Sequence, residues 1–174
     1  MTRRVRHPSA LFALAAAFLP FLMAAASAPG SPAPDFRLSD TSGESVVLSS
    51  LRGKTVILHF WASWCPHCLS EMPLLEQLGR EFAARGVEVL AINLAEPPRR
   101  VARYVKAHGL HLRVLLDPQG TVAKAFGVVG LPASIVINPE GAILGELSMG
   151  SLDRRTIQDL VIPPGTPPGD GKTP

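Results

Sequence analysis

The apolar run Thr55–Phe60 is followed five residues later by Cys65-Pro66-His67-Cys68, and this junction constrains the chain more than any other feature. A nearly continuous apolar run of that length is what a central strand buried on both faces requires. A Cys-x-x-Cys directly after such a strand, opening a helix, is a strong signal for dithiol redox work. At a spacing of three on a first helical turn, the two side chains are neighbours and can close a disulfide. Cys65 then sits at the helix N-terminus, where unpaired N–H groups and the dipole favour a thiolate. Pro66 fits the first helical position, where a missing N–H leaves no acceptor unpaired. Cys68, one turn inside, is placed to resolve a mixed disulfide formed at Cys65.

The chain has 174 residues and only these two cysteines. A bridge closing so short a loop staples little, so the pair is better explained by reactivity than by stability. His67 beside the thiolate is the tuning residue: a cationic or hydrogen-bonding imidazole stabilises the reduced form and raises the reduction potential. Glu71, three residues beyond Cys68, shares a helix face with it and is a candidate proton partner during resolution. Trp61, Ser63 and Trp64 precede the cysteines, and the two rings either shield the disulfide or pack the loop and core. Pro132 follows Gly127-Val128-Val129-Gly130-Leu131 and enters a strand, where an X-Pro bond has access to the cis form.

The N-terminus reads as an export signal. The basic stretch Thr2 to His7 precedes an apolar run from Ala10 to about Ala26, and small residues offer an A-x-A cleavage site, best after Ala26. The alternative is an uncleaved anchor, since about 17–25 apolar residues suffice to span a membrane. Residues 1–28 are therefore expected as signal peptide or N-terminal membrane anchor, 29–34 as a Pro-rich linker, 35–162 as the folded domain, and 163–174 as a disordered Pro/Gly-rich tail. The formal charge of +3 belongs to the export segment: without Arg3, Arg4 and Arg6 the basic residues only equal the 14 acids. No clustered basic face argues for nucleic acid.

Within the domain, Phe36–Leu38 and Val46–Leu48 flank a turn-like Asp40–Gly43, predicting a hairpin. A helix from Cys65 or Pro66 to about Arg85 carries Leu74, Leu75, Leu78 and Phe82 at apolar spacing, with Pro73 expected to kink it. Further elements are predicted as strands at Val87–Leu94, Val114–Leu116, Ser134–Asn138 and Ala142–Leu147. Helices are predicted at Arg99–His108 (closed by Gly109), Thr121–Phe126 and Leu152–Leu160. That order implies an α/β domain with a central mixed sheet and helices on both faces.

The segments Phe60-Trp61-Ala62-Ser63-Trp64-Cys65-Pro66-His67-Cys68, Glu71-Met72-Pro73, Phe126-Gly127-Val128, Gly130-Leu131-Pro132 and Ile135–Gly141 closely resemble the TlpA/ResA-type thioredoxin-like proteins of bacterial cell envelopes. The resemblance runs from about residue 33 to 160. It implies a thioredoxin-like fold with an N-terminal β-hairpin extension. It also implies a periplasmic or membrane-anchored thiol–disulfide oxidoreductase, at the outer face of the cytoplasmic membrane, that exchanges disulfides with exported client proteins. By the same analogy Cys65 is the attacking thiol, Cys68 the resolving one, Pro132 the cis-proline beside the disulfide, and Glu71 the acidic residue near the buried thiol. Beyond the redox-active disulfide, no cofactor and no metal are expected, and an upstream membrane electron donor or oxidant is.

Three departures from the family matter. The Pro66-His67 dipeptide is that of DsbA, a strong oxidant, whereas many relatives are reductants. His59 stands where thioredoxin has a buried Asp and this family often Asn, and is read as a satisfied core histidine. Pro132 is followed by Ala133, not the Glu common in the cytochrome c maturation branch. The favoured reading is a reductase of exported clients, because an upstream donor can impose direction on an oxidising site. The alternatives are a disulfide donor and a copper-binding or copper-site assembly protein holding Cu(I) on Cys65 and Cys68. The copper reading lacks a second well-placed His, since His108 and His111 fall elsewhere. A peroxidase reading is weak, since Ala62 occupies the position where peroxiredoxins place Thr.

Overall fold

The computed structural model describes residues 28–148 and 150–161. Residues 1–27 of the export segment, with the cleavage site after Ala26, residue 162 and the 163–174 tail lie outside the described residues.

The Thr55–Phe60 run forms β3 (Thr55–Trp61), and all seven of its side chains are buried. It pairs parallel with β4 (Val87–Leu94) on one side and antiparallel with β6 (Ala133–Ile137) on the other. The other strands are β1 (Arg37–Asp40), β2 (Ser45–Val47), β5 (Arg113–Asp117) and β7 (Ile143–Ser148). They complete a seven-stranded mixed sheet in the order β2-β1-β5-β4-β3-β6-β7. The predicted hairpin is β1–β2, and β1 joins the main sheet by pairing Ser39 and Asp40 with Leu116 and Leu115 of β5.

Side chains alternate across β3, as a strand requires. Ile57 and Trp61 enter one core, with Met72, Leu75, Leu78 and Phe82 of α1 (Pro66–Phe82), Val101 of α2 (Pro98–His108) and Ile157 of α4 (Arg154–Val161). Val56, Leu58 and Phe60 enter the opposite core, with Val122 and Ala123 of α3 (Thr121–Ala125), Phe126 and Phe36. Helices therefore cover both faces.

Several boundaries differ from the sequence reading for local reasons. Helix α1 runs through Pro73 to Phe82 and continues as a 3-10 turn over Ala83–Arg85. Its buried stripe includes Met72, while Leu74 is only partly buried. Gly109 closes α2 as expected: at φ 61° its N–H reaches the Val105 carbonyl. Helix α4 starts at Arg154, not Leu152, because Asp153 accepts from both the N–H and the hydroxyl of Thr156 in the manner of an N-cap.

Residues 30–33, within the segment read as a linker, are tied to the start of β7. Gly30 N–H bonds to the Ile143 carbonyl (2.7 Å), Ile143 N–H to Ser31 (2.9 Å) and Ala33 N–H to Gly141 (2.9 Å). Pro32 lacks an N–H but sits opposite Ala142, and its neighbours make the bonds.

The turn from β5 to α3 rests on Asp117, which is fully buried. Its carboxylate accepts from Thr121 N–H and hydroxyl and from the N–H groups of Val122 and Ala123. Asp117→Ala strands those donors and is expected to lower stability by about 2–4 kcal/mol. Asp117→Asn, which keeps one acceptor, should fall between the two in urea unfolding. An Ala variant as stable as the parent would show that the turn holds without this carboxylate.

Candidate active site

Strand β3 ends at Trp61, and the chain turns through Ala62, Ser63 and Trp64 into α1. Cys65 is the N-cap, in extended conformation (φ −96°, ψ 101°), with its N–H bonded to the Ala62 carbonyl at 3.1 Å. Pro66 opens the helix as expected. Cys65 and Cys68 form a disulfide. The Cys65 sulfur also accepts from the Cys68 N–H at 3.2 Å, taking the role an oxygen usually has in a cap. The pair is asymmetric: Cys65 is 5% exposed, whereas Cys68 is completely buried.

The two tryptophans are put to different uses. Trp61 is fully buried, its ring centroid 5.5 Å from that of Tyr104, so it belongs to the core. Trp64 precedes Cys65 and is 63% exposed. Pro132 is buried and its bond to Leu131 is cis. The β3–β6 register pairs Phe60 with Ala133, which brings Pro132 to the end of β3 where the Cys65 loop begins. His67 is exposed.

Glu71 is partly buried on α1, and burial pushes its carboxyl above the usual range, against the opposing pull of the Gly150 N–H and of His67. Facing it from β3 is His59, whose Nδ1 lies 3.9 Å from Glu71 Oε2 and 2.9 Å from Ser134 Oγ of β6. His59 is only half satisfied as a core residue, because its buried Nε2 has no hydrogen-bond partner. Burial pushes its pKa down to about 4, so it is neutral at pH 7 and its approach to Glu71 is not an ion pair.

The sequence reading missed a second group of polar residues at this loop. Glu96, just after β4, accepts from the Ser63 N–H and hydroxyl, both at 2.6 Å, from the Asn93 amide at 2.8 Å and from Arg100 Nε at 3.1 Å. The available signal was Asn93, a polar residue inside an otherwise apolar strand. Among the described residues, no group of three or more His, Cys, Asp or Glu is placed to hold a metal ion. His108, which the copper reading considered, stacks on Tyr104 with ring centroids 3.9 Å apart.

The sequence of the AhpC/TSA family matches residues 29–145. The thiol-disulfide oxidoreductase ResA of Bacillus subtilis (strain 168) is 37% identical over 142 residues, covering 80% of this chain and 79% of the relative. ResA of Geobacillus thermodenitrificans (strain NG80-2) is 40% identical over 133 residues, covering 76% of each. The chain belongs to this family. It is a ResA-like, thioredoxin-fold thiol–disulfide oxidoreductase, and the Cys65–Cys68 pair is its redox couple. Solved structures agree. The thiol:disulfide interchange protein of the thioredoxin family from Chlorobium tepidum TLS matches with a TM-score of 0.67 at 30% identity, over 78% of this chain and 97% of that one. The pneumococcal exposed lipoprotein thioredoxin of Streptococcus pneumoniae strain TIGR4 matches with a TM-score of 0.66 at 29% identity, over 73% and 98%.

The buried His59 ties stability of this ResA-like domain to pH. Its pKa falls from 6.5 to about 4 on folding, so between those values the unfolded chain binds the extra proton. Stability contributed by the neutral ring is complete above pH 6.5 and is lost as pH falls towards 4, by about 3 kcal/mol in all. Chemical denaturation of the parent from pH 7 to 4 should show this loss, and His59→Asn should flatten it. Equal slopes in both proteins would assign the acid sensitivity to other groups.

Proposed function

We propose that this oxidoreductase is exported and reduces disulfides of client proteins outside the cytoplasm, with Cys65 attacking and Cys68 resolving. The asymmetry of the pair carries this reading: Cys65, at the helix N-terminus, keeps a small exposure of 5%, whereas Cys68 has none. In the reduced protein, the Cys65 thiolate attacks a client disulfide, forming a mixed disulfide and releasing one client thiolate. Cys68 then gives its proton to the Glu71 carboxylate and attacks the Cys65 sulfur. The Cys65–Cys68 bond forms, the bond to the client breaks, and the client leaves fully reduced. The raised pKa of Glu71 makes it a better proton acceptor than an ordinary surface carboxylate. Two electrons from an upstream membrane donor return the disulfide to the dithiol.

Protein-sized clients suit the surface. Trp64, beside Cys65, and Val129, in the loop before Pro132, are the large apolar side chains left strongly exposed among the described residues. Pro132, next to that loop, is placed to align the client backbone. Export is supported by the N-terminal sequence pattern and by the pneumococcal neighbour, whose name calls it an exposed lipoprotein.

A disulfide-donor role is the second reading, and the exposed His67 one residue before Cys68 favours it. The reduction potential against glutathione separates the two. A value near thioredoxin's, roughly −270 mV, fits the reductase, and one near DsbA's, roughly −120 mV, makes the protein an oxidant.

The roles of the second thiol and the acid are separately testable. Cys68→Ala should accumulate a Cys65–client mixed disulfide on non-reducing gels, and a variant that turns over normally would remove Cys68 from the mechanism. Glu71→Gln should slow the resolving step about tenfold to a hundredfold. In the parent that step should weaken as pH falls through the raised Glu71 pKa, and the variant should lose this limb.

A further inference from the structure

The turn that delivers Cys65 is held by one side chain from elsewhere in the fold. Ser63 lies two residues before Cys65, and both its N–H and its hydroxyl bond to the Glu96 carboxylate at 2.6 Å. Glu96 is 4% exposed. It follows Ala95, whose φ of 57° is the sole positive value among the described non-glycine residues. A left-handed alanine costs about 1 kcal/mol or more, and such strain persists only where surrounding structure enforces it. Burial pushes the Glu96 carboxyl up, but the Ser63 hydroxyl and N–H, the Asn93 amide and Arg100 together hold it below the usual carboxylate range. The carboxylate is therefore ionised. Its counterion, the Arg100 guanidinium, is the more solvated partner, with its side chain 56% exposed against 3% for Glu96.

We propose that Glu96 and Arg100 form a charge couple that positions the Cys65 loop and sets how readily Cys65 ionises, the carboxylate opposing the thiolate and the guanidinium relieving that opposition. This rests on Cys65 being the attacking thiol of the oxidoreductase. The carboxylate grips Ser63 at 2.6 Å, and two residues of chain reach at most about 7 Å, so the charge lies on the order of 10 Å from Cys65. At that range a poorly screened unit charge moves a thiol pKa by about 1. Water screens Arg100 more than Glu96, so the two charges do not cancel at the sulfur. The couple thus works against the α1 N-terminus and His67, both of which favour the thiolate. It disfavours the reduced form relative to a site with those features alone, and so moves this DsbA-like dipeptide towards the reductant end.

Paired neutral substitutions in the full chain test this. The rate of Cys65 alkylation against pH reads the thiol pKa, and the equilibrium with glutathione reads the potential. Glu96→Gln should lower the pKa by about 1 and move the equilibrium towards the dithiol by about fivefold. Arg100→Gln should move both quantities the opposite way. A loop that was merely loosened would shift the two variants in the same direction, so shifts of like sign, or none, overturn the proposal. If Glu96→Gln does not fold, Arg100→Gln decides alone: a raised pKa sustains the couple and an unchanged or lowered one refutes it. Neither readout needs a client. Failure to reduce clients would overturn the functional reading without touching this result.

Discussion

Strand β3 has no solvent-facing side. Seven consecutive buried side chains leave its backbone no water to bond, so both edges must be paired and both faces covered. The parallel partner β4 and the antiparallel partner β6 meet the first demand, and α1 and α3 head the groups that meet the second. The redox loop emerges where this burial stops. Because β3, β4 and β6 cannot slide without turning apolar side chains out of two cores, the loop, Glu96 and Pro132 are delivered to one end of the sheet with little freedom.

At that end several weak electrostatic influences converge on one sulfur. The helix start and the Cys68 N–H favour negative charge on Cys65, while the buried Glu96 carboxylate disfavours it. Glu71 of α1 and His59 of β3 form a separate polar pair, 3.9 Å apart, whose members both resist ionisation because they are desolvated. A thiol tuned in this way depends on the balance of these environments as well as on the dipeptide between the cysteines.

The strands and helices of the central fold were readable because their apolar spacing reports burial directly, as at Thr55–Phe60 and Val87–Leu94. The redox motif was readable because its residues are adjacent in sequence. What escaped depends on contacts between distant segments. Glu96 is 33 residues from Ser63, and His59 is 75 from Ser134. His59 stood out as a polar residue in an apolar run, but no local pattern names Ser134 as its partner or Glu96 as that of Ser63. Met72 was passed over beside the leucines, although its position faces the core. The start of α4 was placed early because Leu152 is apolar, whereas the cap at Asp153 decides where helical bonding begins.

The short strap at residues 30–33 bears on how the domain carries mechanical load. Its backbone bonds clip it to Gly141 and Ile143 at the entry to β7, an edge of the sheet, while the β1–β2 hairpin that follows joins the sheet from the opposite edge. Tension drawn from the N-terminal side is therefore taken up first by the bonds at Gly30, Ser31 and Ala33. Those few bonds act as a strain relief: they can give way while β3, the third strand from one edge and the fifth from the other, keeps the cysteine loop in register.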